Sequence, residues 1–194
     1  MKKKIRITYN SPSVLSFVLL GFVATLLGII TNNKSTALLF SVYRCSFKDP
    51  LAYIRLISHV FGHIGMEHFI GNTMYLLLLG PLLEEKYGSK TLIKVMFVTA
   101  LVTGLIHCAF SGNSSLCGAS GIVFSFILLS SFTAVKEREI PISFILVAVL
   151  FVGKEIYSGI FVDDDVSNVT HIIGGIIGAM SGFFLNKASH KTKF

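Results

Sequence analysis

Apolar runs long enough to cross a hydrocarbon core recur along this chain, and a soluble domain of its size has no interior able to bury that many. A crossing takes about 20 residues at about 1.5 Å of rise each. The first run is VLSFVLLGFVATLLGII, residues 14–30. A second covers 68–83, ending at Pro81 and the EEKYGSK connection, and a third covers 91–110. The fourth is 118–135, the fifth 140–161, opened by Pro141, and the sixth 169–186. Only 14% of the 194 residues are charged, where a soluble domain carries roughly a quarter. The expectation is an all-α membrane protein, a bundle of six transmembrane helices with a long first outer loop at 31–67. Its membrane domain is 14–186, between a basic tail at 1–13 and a second basic tail at 187–194. A loop as long as 31–67 is usually functional or partly helical.

The basic start followed by an apolar run also fits a secretory signal. Several further spans follow and no A-x-A cleavage site does, so residues 14–30 are read as an uncleaved first helix.

The formal net charge of +7 is clustered. Lys2, Lys3, Lys4 and Arg6 open the chain, Lys187, Lys191 and Lys193 close it, and Lys86, Lys90, Lys136 and Arg138 sit in two short connections. This is the pattern of the positive-inside rule. It places both termini, 84–90 and 136–139 in the cytoplasm, and the first loop, SGNSSLCG (111–118) and FVDDDVSN (161–168) outside. With Lys94 at the inner end of the third span, twelve of 17 Lys and Arg then fall inside; Lys34, Arg44, Lys48, Arg55 and Lys154 do not. The expected location is the cell membrane, with multiple passes. No basic stripe interleaved with aromatics is present, which excludes a nucleic-acid surface. Three cysteines show no CxxC or ribbon spacing, and an odd count leaves at least one thiol. Cys45 and Cys117 could bridge if both lie outside.

Strongly polar residues inside spans are expensive and therefore point to function. His68 opens the second span, with Asn72 four residues on and on the same face. Gly118, Ser120 and Gly121 open the fourth, and Asn168 and His171 the sixth. Under the six-span topology all three groups lie in the outer part of their helices, at similar depth. A serine becomes nucleophilic when a base within about 3 Å takes its proton, and His171 is the candidate base. The Ser120 backbone N–H, the Asn72 amide and the His68 ring could donate to the oxyanion of an acyl-transfer intermediate, with Gly118 beside them. The flanking glycines allow close approach. Each residue alone has a packing explanation; together, each supplies the partner another needs. Gly174, Gly178 and Gly182, spaced by four, form a small-residue face that would press the His171 helix onto the Ser120 helix.

The set H-x8-H-x3-N (His59, His68, Asn72), GASG (Gly118–Gly121) and H-x2-GG-x2-G (His171, Gly174, Gly175, Gly178) closely resembles the rhomboid intramembrane serine proteases, over residues 50–186. The resemblance implies a Ser120–His171 dyad in a cavity open to the outer face. It implies an oxyanion hole of His68, Asn72 and the Ser120 amide, and cleavage of transmembrane protein substrates near their outer boundary. It needs no cofactor and no metal. It also implies structural roles for His59 and His63, and for an acidic residue ending the second helix, Glu84 or its neighbour Glu85. Two departures stand out. The family's first loop carries a Trp-Arg pair where this chain has Ile54-Arg55, and Phe124 stands one turn beyond Ser120 where relatives often have tyrosine. Phe124 can still stack on the His171 ring.

Rival readings are weaker. His59, His63 and Glu67 share a spacing of four, but Gly62 and Gly65 interrupt any helix that would align them on zinc, and no HExxH is present. Asp163–Asp165 could complete a triad with His171, but a run of three acids reads as a solvated turn, leaving a dyad without an acid. Transport lacks an inverted repeat. A rhomboid-like protein that binds helices without cutting them would be expected to lack the serine or the histidine, and both are present.

Overall fold

The computed structural model describes residues 7–44, 46, 48–110, 114–133, 140–161 and 168–191. Helix α1 (Pro12–Ile30) begins on a proline, whose missing N–H costs nothing in a first turn. Asn32 and Asn33, both with positive φ, turn the chain into the short α2 (Lys34–Leu39). Strand β1 (Val42–Tyr43) follows, then α3 (Pro50–Ser58), whose Asp49 cap accepts from the Leu51 N–H at 3.0 Å. A 3-10 turn (His59–Phe61) leads to α4 (Gly65–Tyr87), then α5 (Ser89–Phe110), β2 (Ser115–Leu116), α6 (Ser120–Ser130), α7 (Ile142–Phe161) and α8 (Asn168–Lys191). The long first loop is thus largely structured.

Four boundaries differ from the sequence expectation. Pro81 does not end the second span: α4 runs through it to Tyr87, and the expected 84–90 loop shrinks to Gly88 at φ 79°. Packing explains the continuation. Leu83 is fully buried, and the Glu84 carboxylate accepts from Ser11 Oγ (2.5 Å), the Ser13 N–H (2.9 Å) and the Val14 N–H (3.1 Å). Those are orphan donors at the start of α1, so the last turn of α4 caps another helix. Glu85 is exposed, so Glu84 is the structural acid. The fourth helix starts at Ser120 rather than 118, because Gly118 sits at φ 124°, outside any helix, and it stops at Ser130. The sixth continues past 186 into the expected tail. The KERE loop, Asp163–Asp165 and Cys45, with its possible bridge to Cys117, lie outside the described residues.

Among the described residues, α1, α5 and Asn168–Asn186 of α8 are long and apolar enough to cross a membrane. The chain is a membrane-embedded helical bundle. Its centre is α6, buried on every side from Gly121 through Leu129. Val14 and Phe17 of α1, Leu76 and Leu83 of α4, and Leu92 and Val95 of α5 complete the core. The outer helices keep large apolar side chains exposed, such as Leu20, Phe97, Val149 and Leu150, as surfaces facing lipid do.

Two devices tie the first loop to the bundle. Strands β1 and β2 pair antiparallel, Val42 opposite Leu116 and Tyr43 opposite Ser115. Arg55, 2% exposed, binds Asp49 and the Tyr43 hydroxyl, and its guanidinium lies 4.6 Å from the Tyr43 ring centroid. The arginine holds this loop without the tryptophan, and Ile54 points outward.

Candidate active site

The site grows from the contact between α6 and α8. A Cβ on Gly174 would lie 2.1 Å from the Gly121 carbonyl oxygen, and one on Gly178 would lie 2.0 Å from that of Ser125. At Gly182 it would meet the Phe132 ring at 2.7 Å. Only glycine lets the backbones come this close. His171 lies three and seven residues before Gly174 and Gly178, on the same helical face. Thr170, its neighbour, comes within 3.5 Å of a Cβ on Gly121. His171 therefore faces α6 at the level of Ser120.

On α6, Ser120 and Phe124 are one turn apart on a shared face. The Phe124 ring stacks on His171, with centroids 4.5 Å apart and planes within 6°. Ser120 is the first residue of α6, so its N–H has no intrahelical acceptor. It is partly exposed, whereas His171 and Asn72 are buried.

The third wall is α4. A Cβ on Gly118 would lie 2.9 Å from both Cε1 and Nε2 of His68, and 3.8 Å from Asn72 Nδ2. The structure thus brings His68 and Asn72 against the turn before Ser120. Asn72 Nδ2 is buried and makes no hydrogen bond among the described residues; the same holds for Asn168 Oδ1 at the start of α8.

His59 and His63 hold that turn from the first loop. The Gly118 N–H donates to the His59 carbonyl at 2.9 Å. The Ala119 N–H reaches His63 Nε2 at 3.4 Å, while His63 Nδ1 donates to the Phe61 carbonyl at 3.2 Å. His59 Nδ1 donates to the Arg55 carbonyl at 3.2 Å. Burial pushes both imidazoles down to about 4, the charge of His68 adding to the effect at His63. Both are neutral at pH 7. The turn in the GASG segment is therefore held by the His59 backbone carbonyl and by the neutral His63 ring. His59 lies in a 3-10 turn and Glu67 in α4, so the three residues do not line up on one helix.

One residue at this site escaped the sequence reading. The Glu155 carboxylate of α7, 2% exposed, lies 2.7 Å from His171 Nδ1. Its signal was present: a carboxylate within an apolar span, beside a lysine that was counted only for topology. An intramembrane acid demands a named partner, and here the partner is His171.

The Rhomboid domain family matches residues 50–188. The chain belongs to the rhomboid family. It is 29% identical over 148 residues to rhomboid-related protein 1 of Caenorhabditis elegans, covering 71% of this chain and 42% of that protein. It is 26% identical over 183 residues to rhomboid protease GlpG of Yersinia pestis, covering 93% of this chain and 65% of that one. GlpG of Yersinia pseudotuberculosis matches to the same extent. The chain therefore spans less than two thirds of the length of these relatives.

Proposed function

We propose that this chain is an intramembrane serine endopeptidase that cuts transmembrane protein substrates near the outer membrane boundary, with Ser120 as nucleophile and His171 as general base. The observation that carries this reading is the His171 ring lying flat on Phe124, one turn from Ser120, at a helix contact that only glycines permit. The names of the GlpG relatives support it.

In the first half-reaction His171 Nε2 takes the Ser120 hydroxyl proton as Oγ attacks the scissile carbonyl. Negative charge then develops on the carbonyl oxygen. The Ser120 N–H at the positive end of α6, the unpaired Asn72 Nδ2 and the His68 ring are the donors for it, with Gly118 leaving space for their approach. In known enzymes one such donor is worth about 10²–10³ in rate. Collapse breaks the C–N bond, and the His171 proton goes to the leaving amine. Water then attacks the acyl-enzyme, its proton passes to His171, and the carboxylic product leaves as Ser120 recovers its hydrogen. Every group required is a side chain or backbone donor of this chain. Gly121, Gly174 and Gly178 support the site by setting the helix contact, Phe124 by orienting the base, and Asn168 from the start of α8.

The clustering of Lys and Arg supports a cell-membrane location with both termini on the cytoplasmic side. The substrates are single-span proteins with small residues at the cut and a helix that unwinds easily.

The test is cleavage of a generic transmembrane substrate by purified protein in detergent, beside Ser120→Ala and His171→Ala. Each variant is expected to lose at least about 10⁴ in kcat while melting at the wild-type temperature. Cleavage surviving in either one rejects the assigned pair, and an inert wild type favours a helix-binding protein.

A further inference from the structure

We infer that Glu155 is a positioning residue for His171, holding the ring orientation and tautomer that the proposed Ser120–His171 pair needs. The inference rests on the protease reading above and adds to it the device that selects the working nitrogen of the base.

The Phe124 stack leaves two features of the base undetermined. Stacking fixes the plane of the His171 ring. A half-turn about the Cβ–Cγ bond keeps that plane and exchanges the nitrogens with ring carbons. Stacking is equally indifferent to the tautomer. A base for Ser120 needs both choices made: Nε2 toward α6, and the proton on Nδ1. A carboxylate 2.7 Å from Nδ1 makes both, because an ionised carboxylate only accepts, so Nδ1 must carry hydrogen and Nε2 is left as the acceptor. The same carboxylate stabilises the imidazolium formed when the Ser120 proton arrives.

The surroundings favour this role over incidental packing. Glu155 is the one buried residue among the α7 side chains described, on a helix whose other positions are partly or fully exposed. Lys154 Nζ is 3.9 Å from Glu155 Oε1 on a side chain 72% exposed, a weak solvent-screened contact. His68, from α4, also interacts electrostatically with His171. Asp163–Asp165 lie outside the described residues.

The experiment uses the full chain with ¹⁵N-labelled histidine, in wild type, Glu155→Gln and Glu155→Asp, with His171→Ala to assign the signal. The expected wild-type spectrum at neutral pH shows His171 protonated on Nδ1 and bare on Nε2. Glu155→Gln is expected to give a tautomer mixture, and Glu155→Asp to restore the wild-type form. A wild-type proton on Nε2, or a tautomer unchanged in Glu155→Gln, overturns the inference. In cleavage assays the Gln variant is expected to lose about 10²–10⁴ in kcat, with KM within about threefold. Glu155→Asp is expected to recover at least about tenfold of that loss. Equal losses in both variants would reduce Glu155 to packing. If the Gln variant does not fold, the Asp spectrum decides by the same criterion. Failure of the protease reading is separate: it shows as cleavage by Ser120→Ala, whatever the tautomer.

Discussion

Helices α6 and α7 both reach His171, yet they are built on opposite terms. Helix α6 is buried on every side from Gly121 to Leu129, and α8 rests on its backbone through Gly174 and Gly178. Helix α7 leans on the bundle through partly buried side chains such as Phe144 and Phe151, with a carboxylate as its one buried contact. One helix is held in place, with the proposed nucleophile at its start, by dense packing that tolerates little change of volume. The other holds its contribution by a single hydrogen bond, which tolerates change almost everywhere except at that atom. Rigidity and chemical control are thus assigned to different helices.

The sharpest way to break this contrast is to put a side chain where α6 and α8 touch. Gly178→Val places carbon against the Ser125 carbonyl, with backbone on both sides and nothing able to yield. A loss of about 3 kcal/mol or more is expected in thermal or denaturant unfolding; an unchanged melting temperature would mean the backbones are not in contact. Next comes acidification. His59 and His63 titrate near 4 when folded and near 6.5 when unfolded. Between those values the unfolded chain binds more protons, so stability falls as pH drops through this window and is insensitive to these groups above it. Melting temperatures from pH 7.5 to 4 should show that decline. A flat profile would mean that these two imidazoles are not held neutral by burial in the folded chain.

A smaller effect is expected at the far end of α4. Glu84→Ala strips the acceptor from three donors at the start of α1 and should cost about 1–2 kcal/mol, while Glu85→Ala should cost nothing measurable. Equal effects would remove Glu84 from its capping role. The smallest change belongs to α7. Val149→Ala, on a side chain 63% exposed, should stay within about 0.5 kcal/mol and leave cleavage intact. A large loss there would show that α7 is packed as tightly as α6 and end the comparison.

Much of this was legible in the chain itself, for identifiable reasons. Uninterrupted apolar runs mark where helices must be, because lipid offers backbone groups no other partner. The four-residue spacing of Gly174, Gly178 and Gly182 announced a close contact, and one-turn spacing put Asn72 with His68. What stayed hidden depends on distance rather than order along the chain. Pro81 reads as a terminator, and only the buried Leu83 and the capping contacts of Glu84 explain why α4 continues beyond it. The pairing of β1 with β2 joins two-residue segments too short to carry an alternation. Glu155 was not singled out, since nothing in a linear pattern says which way a helix is rotated. The left-handed Gly118, which keeps 118 and 119 out of α6, is likewise a property of the folded turn.

That turn leads to a final consequence. With 11 residues, α6 is about 16 Å long, close to half of a hydrocarbon core about 30 Å thick. Such a helix cannot touch both faces of the bilayer, so the chain must bring irregular backbone down to meet it, lined by protein rather than lipid. At least one end of α6 therefore lies below the membrane surface. On the proposed protease reading this reverses the usual problem of an active site. Most enzymes must keep water out; a hydrolase built around α6 must let a controlled amount in, and the shortness of one helix opens the way.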